Sequence, residues 1–167
     1  MLRLKLIPHK ELQQKELDEI IRVKRVAWPY SYEKQIEWIA SNIKESDIHL
    51  LLLQKEVAVA YLNLVEIEFV VDEWLVRGFG IGNVCTSEKG RGWGKELMLQ
   101  TNHYLLQNNK VGLLFCKEPL VGFYGLYQWR PVDKQKVILS TDKQIVETMI
   151  FNWDKEIQQL KFTGKPF

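Results

Sequence analysis

The chain has 167 residues, of which 46% are apolar and 26% are charged. These are ordinary values for a packed globular protein, and they exclude the collagen-like, coiled-coil and disordered classes. The length predicts a single domain over residues 1–167. No stretch reaches the roughly 18 consecutive apolar residues of a membrane span, and Arg3 and Lys5 interrupt the apolar start of the chain. We therefore expect a cytoplasmic protein that has no membrane partner.

Cysteine content and charge narrow the class of ligand. Cys85 and Cys116 are too few for a disulfide framework or a cysteine-rich zinc site, so we expect two reduced thiols and no metal. Residues 86–136 contain eight Lys or Arg and four Asp or Glu residues, a net charge of +4. That charge is small for a nucleic-acid surface but sufficient for one ligand with a few phosphates. A nucleotide-like cofactor is favoured, and no nucleic-acid partner is expected.

The first half of the chain predicts one strand, two helices and three more strands. Leu2–Ile7 alternates as a strand does, and Pro29 ends a helix that starts at Glu11. The predicted buried stripe of that helix is Leu17, Ile20, Ile21, Lys24 and Trp28. Ser31 is a suitable N-cap for the second helix. The next segments are rich in Val, Leu and aromatic residues, which predicts an antiparallel meander of His49–Leu53, Val57–Val65 and Trp74–Cys85.

The second half predicts a helix, a strand, a short helix and two strands. The first of these helices has the stripe Leu97, Met98, Thr101, Tyr104 and Leu105. Pro119 suits the first turn of the short helix. The remaining segments are the strand Val111–Cys116, the helix Pro119–Tyr127 and the strands Val137–Ser140 and Val146–Trp153. The predicted order is βααβββαβαββ.

A glycine-rich turn joins the third strand of the meander to the following helix. It reads Thr86-Ser87-Glu88-Lys89-Gly90-Arg91-Gly92-Trp93-Gly94-Lys95. Glycines let several backbone N–H groups point toward one place, and a helix N-terminus adds about half a positive charge there. Such a turn can bind a pyrophosphate. Spacing excludes two other phosphate motifs, because a P-loop would need Gly at Lys89 and a dinucleotide fingerprint starting at Gly90 would need Gly at Lys95.

The segment Lys89-Gly90-Arg91-Gly92-Trp93-Gly94 resembles the acetyl-coenzyme A loop of the GNAT N-acetyltransferase superfamily. Val84 stands five residues before Lys89, where the fourth strand of that family binds the cofactor through its backbone. Phe123–Trp129 is similar to the family's aromatic-Tyr-x-x-x-Gly-aromatic motif. The order of elements also matches, and the resemblance covers roughly residues 50–130. It implies the GNAT acyl-CoA N-acyltransferase fold, an α/β (α+β) mixed sheet of about seven strands flanked by four helices.

The resemblance also implies an activity. The protein would transfer an acetyl group from acetyl-coenzyme A to a primary amine of an unidentified small molecule or protein, by direct attack and without a metal. The residues implied to bind acetyl-coenzyme A are Val84, Thr86, Lys89, Gly90, Arg91, Gly92, Trp93, Gly94 and Lys95. The Val84 N–H would stabilise the oxyanion, and Tyr124 would be the catalytic acid that protonates the departing thiolate. Both a monomer and a homodimer are compatible with this activity.

The acceptor side is less defined. The residues expected near the acceptor are Trp28, Tyr30, Glu66, Glu68 and Gly80. Glu66 or Glu68, acting through water, is the candidate base that deprotonates the amine. The alternative for Trp28 and Tyr30 is core packing, and the alternative for the acidic segment around Glu66 is a solvated hairpin tip. The lack of a side chain at Gly80 indicates close approach of either a packed helix or a bulky acceptor.

Two further alternatives concern the chemistry itself. Tyr124 also fits an ordinary core aromatic, and Cys85 and Cys116 are expected to be buried, inert thiols because no His in the sequence stands near either. The whole chain also fits a catalytically silent domain that binds coenzyme A as a sensor or assembly module. Gln128, which stands where the family usually has Gly, is consistent with that second function.

Overall fold

The computed structural model describes residues 1–140 and 146–167. The α-helices of these residues are α1 (Gln14–Ala27), α2 (Tyr32–Asn42), α3 (Trp93–Gln107) and α4 (Val121–Gly125). The strands are β1 (Leu2–Pro8), β2 (Ile48–Gln54), β3 (Val57–Val71), β4 (Trp74–Thr86), β5 (Val111–Cys116), β6 (Arg130–Val132), β7 (Val137–Leu139), β8 (Glu147–Phe151) and β9 (Leu160–Phe162). No helix in the described ranges is both long enough and apolar enough to cross a membrane.

The strands form a mixed sheet, which confirms the predicted fold class. Their order is β1-β2-β3-β4-β5-β8-β6, with β9 paired to β3 and to β7. The β1–β2, β2–β3, β5–β8 and β6–β8 pairs are antiparallel, whereas β4 and β5 are parallel. A parallel pair needs a crossover, and α3 supplies it. The turn before α3 therefore lies at the carboxyl end of β4.

The described chain divides into two compact units. The first consists of Met1–Val65 with Gly82–Gln100. In it, β2 pairs with β1 on one side and with β3 on the other, and the register places His49 opposite Asn63 and Leu51 opposite Tyr61. Helices α1 and α2 bury apolar stripes that include Ile20, Ile21 and Ile39. Ser31 caps α2 as predicted, because its hydroxyl accepts a hydrogen bond from the Lys34 N–H.

The second unit consists of Glu66–Ile81 with Thr101–Phe167. Here Gly78–Ile81 of β4 pairs with Val111–Leu114 of β5. Its core is an apolar cluster of Phe69, Val71, Val76, Leu113, Val132, Ile150, Ile157, Leu160 and Phe162. β9 closes this cluster by pairing with the end of β3 at Val70 and Val71.

Several predicted boundaries were wrong. The first helix starts at Gln14 rather than Glu11, because His9–Glu11 form a 3₁₀ turn and Gln13 and Glu16 build a capping box around the true start. The short helix is a 3₁₀ turn at Glu118–Leu120 followed by α4.

Strand extents were also underestimated. β3 continues past Val65 to Val71, since Glu66 and Glu68 are exposed and alternate with Ile67 and Phe69, which are partly or fully buried. The sequence prediction missed β6 and β9 altogether. Both are three residues long, and β6 contains a proline.

Candidate functional site

The glycine-rich turn lies in the first unit, between β4 and α3. Gly90 and Gly92 have φ angles of 75° and 77°, in the left-handed region that favours glycine. A Cβ added to either glycine would meet nothing within 4 Å, so conformation and not crowding selects glycine here. The first helical hydrogen bond of α3 runs from the Glu96 N–H to the Gly92 carbonyl, at 3.1 Å. The N–H groups of the residues before Glu96 therefore precede the helical ladder.

The rim of the turn is cationic and exposed. Lys89, Arg91 and Lys95 all have exposed side chains. Arg91 lies 3.9 Å from the Glu88 carboxylate, and its guanidinium lies 5.4 Å from the centre of the Trp93 ring. An exposed ion pair at that distance contributes little, so the three cations stay available to an anionic ligand. Trp93 is buried, and its expected contact with the cofactor stays a prediction.

The entry to the turn is fixed by two hydrogen bonds. The Ser87 N–H donates to the Val59 carbonyl at 2.9 Å, which continues the pairing with β3. The Thr86 hydroxyl donates to the Glu88 carbonyl, also at 2.9 Å. Thr86 thus shapes the start of the turn, and its expected contact with the cofactor stays a prediction.

Val84 follows a distortion in β4. Asn83 has a φ of 55°, which an extended strand does not allow, so the backbone leaves the regular ladder directly before Val84. The Asn83 amide donates to the Asn63 Oδ1 at 2.6 Å. Sequence reasoning did not identify this pair. A signal was present, since Asn tolerates positive φ and is otherwise depleted in strands.

A group of polar side chains lies beside this distortion, within the first unit. We call Lys24, His49, Tyr61, Asn63, Asn83 and Cys85 the polar cluster. His49 Nδ1 lies 2.7 Å from the Tyr61 hydroxyl, and His49 Nε2 lies 2.9 Å from His9 Nδ1. Burial is the main cause that lowers the pKa of His49 to about 3, and the nearby His9 and Lys24 lower it further. His49 is therefore neutral at pH 7.

Lys24 is the cationic member of the cluster, and it lies on the helix face that the sequence predicted to be buried. Its side chain is only 2% exposed, and its Nζ lies 4.1 Å from the centre of the Trp38 ring. Burial lowers the pKa of Lys24 to about 8, and burial raises the pKa of the neighbouring Cys85 to about 12. Burial also raises the pKa of Cys116. Both thiols are free and buried, as predicted.

Trp28 and Tyr30 follow α1. The Trp28 carbonyl accepts a hydrogen bond from the Gln35 amide at 2.8 Å, which ties α2 to the end of α1. Trp28 is partly exposed, and Tyr30 is 58% exposed, so the alternative of core packing is wrong for Tyr30. Their role at the acceptor stays a prediction.

Tyr124 lies in α4 of the second unit. Its side chain is 6% exposed, and its ring meets that of Phe123 edge-on with centroids 5.1 Å apart. The backbone N–H of Trp129 donates to the Tyr124 carbonyl. Gln128 has a φ of 67°, which gives a physical reason for the glycine usual at this position and shows that Gln is accommodated there. The catalytic assignment of Tyr124 is not tested by this burial.

The acidic residues from Glu66 to Asp72 have different surroundings. Glu66 and Glu68 are exposed on β3, and the Glu68 carboxylate pairs with Arg77 at 3.1 Å. Asp72, at the hairpin turn, accepts hydrogen bonds from the backbone N–H groups of Gln158 and Gln159. Asp72 thus binds the chain beside β9, whereas Glu66, Glu68 and Glu73 are exposed, which is compatible with the alternative of a solvated hairpin. Glu66 and Glu68 remain predicted base candidates.

The space beside Gly80 is occupied by the chain itself. A Cβ at Gly80 would lie 2.5 Å from the Phe167 ring. At Gly78 it would lie 2.2 Å from the Val111 carbonyl oxygen of β5. The close neighbours within the chain are thus an aromatic side chain and a paired strand, rather than a packed helix. A contact between Gly80 and an acceptor stays a prediction.

The similarity of this chain to known proteins is a similarity of fold. No family model matches the chain, and no curated protein matches it. Among solved structures, Escherichia coli ElaA is 20% identical over 90% of this chain and 99% of its own, with a TM-score of 0.64. An acyl-CoA N-acyltransferase from Pseudomonas aeruginosa is 19% identical over 90% and 99% of the two chains, with a TM-score of 0.66.

A third solved structure carries a ligand. PaiA N-acetyltransferase from Thermoplasma acidophilum, in complex with coenzyme A, is 14% identical over 90% of this chain and 99% of its own, with a TM-score of 0.58. Identities this low establish architecture and leave activity open. The chain has the fold of the GNAT-type N-acetyltransferases.

Proposed function

We propose that this protein is an N-acetyltransferase that transfers an acetyl group from acetyl-coenzyme A to a primary amine, by direct attack in a ternary complex. The observation that carries the proposal is the turn between β4 and α3. Two of its glycines have positive φ, and three exposed cations surround it. Structural neighbours named as N-acyl- and N-acetyltransferases, one of them in complex with coenzyme A, support it.

The residues of the turn fit the phosphate part of coenzyme A. The open side at Gly90 and Gly92 allows a ligand to approach the backbone, where a side chain would otherwise stand. The N-terminus of α3 supplies N–H donors and positive partial charge for a pyrophosphate. Lys89, Arg91 and Lys95 would pair with the pyrophosphate and the 3′-phosphate.

The chemistry is assigned to the chain's own groups. The Val84 N–H would donate to the carbonyl oxygen as negative charge develops on it. Tyr124 would donate a proton to the departing sulfur. An alkylamine with a pKa near 10.4 must first lose a proton, which costs roughly 4.6 kcal/mol at pH 7. Glu66 or Glu68, through water, is proposed to accept that proton.

The turn is tested by calorimetric titration of coenzyme A into three proteins. Gly92→Val places a β-branched residue at a φ of 77° and should lower affinity more than tenfold, because the N–H groups can no longer keep their directions. Asn109→Val is the matched control. Asn109 also has a positive φ, 50°, but it follows the other end of α3, so its substitution should strain the chain equally and leave affinity unchanged.

The same titration can refute the assignment. A folded Gly92→Val variant that binds coenzyme A as tightly as the parent would show that the turn is only structural. An equal loss in Asn109→Val would show that backbone strain anywhere in α3 weakens binding. Turnover is measured separately with acetyl-coenzyme A and an amine. A parent protein that binds coenzyme A but acetylates no amine would favour the silent sensor or assembly module.

A further inference from the structure

Among the residues that the structure describes, the ammonium of Lys24 has no anionic partner. It is almost completely buried, and its contact is the face of the Trp38 ring at 4.1 Å. Within residues 1–140 and 146–167, no carboxylate forms an ion pair with Lys24. A buried lysine without a counter-ion is unfavourable, and such a group is normally paired. A ring face compensates only part of that penalty.

Asn63 provides an independent observation of the same kind. Its side chain is 0% exposed. Its Oδ1 accepts from the Asn83 amide, but its Nδ2 has no hydrogen-bond partner. Buried amide donors are almost always satisfied, so an orphan of this type requires an explanation.

The two donors belong to one face of the first unit. Asn63 lies directly opposite His49 in the β2–β3 register. The Lys24 charge lowers the pKa of His49 and counteracts the rise in the pKa of Cys85, so Lys24 is close to both. Asn83, which holds Asn63, stands two residues before Cys85 in β4. The face thus carries a buried ammonium and a buried amide donor.

The buried donors of this face indicate which class of ligand could bind there. Its unsatisfied groups donate hydrogen bonds, and one of them carries positive charge. A ligand that satisfies both must supply acceptor oxygens and negative charge, which a carboxylate does. A second amine or a guanidinium would instead add repulsion to a site that already contains a buried cation.

We propose that the amine acceptor of this protein carries a carboxylate, which binds to the Lys24 Nζ and the Asn63 Nδ2. The inference rests on the proposed acetyltransferase function and names its substrate class, an amino acid or another aminocarboxylate. Asn83 and Cys85 flank Val84, whose N–H is proposed to bind the acetyl carbonyl. Because these neighbours are consecutive in β4, the acceptors to test are those with a short spacer between the amine and the carboxylate.

The reaction itself is unchanged by this contact. The amine nitrogen forms a bond to the thioester carbon, the carbon–sulfur bond breaks, and the proton lost by nitrogen balances the one gained by the thiolate. The carboxylate does not react. Lys24 is a specificity residue in this scheme and takes no part in proton transfer.

Turnover with matched acceptors is the first test. β-Alanine and γ-aminobutyrate are compared with their amides, which keep the amine and the spacer but lack the charge. The parent should prefer the carboxylates by about ten- to hundredfold in kcat/KM. Lys24→Met should abolish that preference by lowering kcat/KM for the carboxylates at least tenfold more than for the amides, and Lys24→Arg should retain part of it. Coenzyme A affinity should be the same in all three proteins.

Binding of propionate to the parent protein is the second test, and it needs no turnover. The ε-carbon resonance of Lys24, assigned by its absence in Lys24→Met, is followed by NMR through a pH titration with propionate or propionamide. Propionate should raise the pKa of Lys24 by a unit or more from about 8, whereas propionamide should not. The other titratable groups near this face are His9, Asp47, His49, Tyr61 and Cys85. Burial lowers the pKa of His49 to about 3, raises that of Cys85 to about 12 and raises that of Tyr61 well above its ordinary value. Because the followed resonance is assigned by its absence in Lys24→Met, it reports on Lys24 itself.

The outcomes separate this inference from the proposed function. If amines are acetylated but Lys24→Met keeps the carboxylate preference, or slows carboxylates and amides equally, the inference is wrong while the function stands. If propionate leaves the Lys24 pKa unchanged, the inference is also wrong. If propionate binds and no amine is acetylated, the carboxylate site stands and the acetyltransferase proposal fails.

Discussion

His49 illustrates how burial sets the ionisation of a single side chain. Both ring nitrogens are engaged, Nδ1 with the Tyr61 hydroxyl and Nε2 with His9. A neutral imidazole can satisfy this arrangement with one donor and one acceptor nitrogen. Burial penalises the charged form, which explains why the pKa of His49 falls to about 3. The histidine is a fixed, neutral link between β2, β3 and the turn after β1.

This ionisation predicts a specific acid sensitivity. The folded pKa lies below the unfolded value of about 6.5, so the unfolded state binds more protons between these values and stability falls as pH decreases through that window. The slope is about 1.4 kcal/mol per pH unit. His49→Asn keeps an acceptor for the Tyr61 hydroxyl but cannot take up a proton. Between pH 6.5 and pH 5 the parent should lose about 2 kcal/mol more unfolding free energy than the variant.

The measurement is urea denaturation of both proteins at several pH values. Other groups titrate in both proteins, so only the difference between their slopes reports on His49. Parallel stability profiles of the parent and His49→Asn would contradict the neutral state assigned to this histidine.

Tyr124 is the residue proposed to act as the catalytic acid. If its hydroxyl protonates the leaving thiolate, Tyr124→Phe should lower kcat by about 10²–10⁴-fold, which is the usual contribution of a positioned acid. The affinity for coenzyme A should change little, since the buried ring remains in place. A kcat within threefold of the parent, with chemistry shown to limit the rate, would remove Tyr124 from the mechanism. An equal loss of affinity and rate would make it a packing residue.

At the scale of elements, the junction of β4 and α3 combines three local features. The strand is distorted at Asn83, the turn uses two left-handed glycines, and the first helical hydrogen bond starts only at Gly92. Each feature leaves backbone N–H groups outside a regular ladder. Together they are the features on which the proposed contact with the phosphates of coenzyme A rests.

The cations of this junction predict salt-sensitive binding. Since Lys89, Arg91 and Lys95 are exposed, their attraction to phosphates is screened by added ions. Coenzyme A affinity should fall between about 50 mM and about 500 mM salt, and dephospho-coenzyme A should bind more weakly and with less salt dependence. Lys95→Gln should weaken binding, whereas Lys34→Gln, an exposed lysine of α2, should not. If the affinity for coenzyme A depends neither on salt nor on the 3′-phosphate, the cations have another role.

Elements with strong periodicity could be predicted from the sequence, and weak ones could not. The stripe of α3 and the cap of α2 are local patterns, and the structure confirms both. The end of β3 was missed because charged residues on its exposed side resemble a turn. Its pairing with β4 and with β9 shows that the strand continues. Short strands such as β9 exist through their partners and leave little local signal.

The polar cluster shows the same limit within the site. The sequence placed Lys24 on the buried stripe of α1, but it could not show that no carboxylate would pair with it. Asn63 and Asn83 become neighbours through the pairing of separate strands. The glycines and cations of the turn are contiguous in sequence, so this part of the candidate site was predictable. The residues of the polar cluster come from separate helices and strands, so only the tertiary structure brings them together.

At the scale of the whole molecule, the fold is shared with proteins that are only 14–20% identical. Such a fold depends on the order of elements and on their buried faces more than on particular residues. That explains why the sequence predicted the architecture while the acceptor stayed unidentified. Function resides in the site, and it must be measured there.

The most direct measurement is the release of free thiol from acetyl-coenzyme A by the purified protein, with and without a panel of primary amines. Our account predicts saturable release that depends on an amine, yields one acetylated amine per thiol, and is greatest for amines that carry a carboxylate. Gly92→Val should lose most of this activity at limiting acetyl-coenzyme A, and Asn109→Val should keep it. Binding of coenzyme A without amine-dependent thiol release from any member of the panel would contradict the account and leave a silent coenzyme A-binding protein.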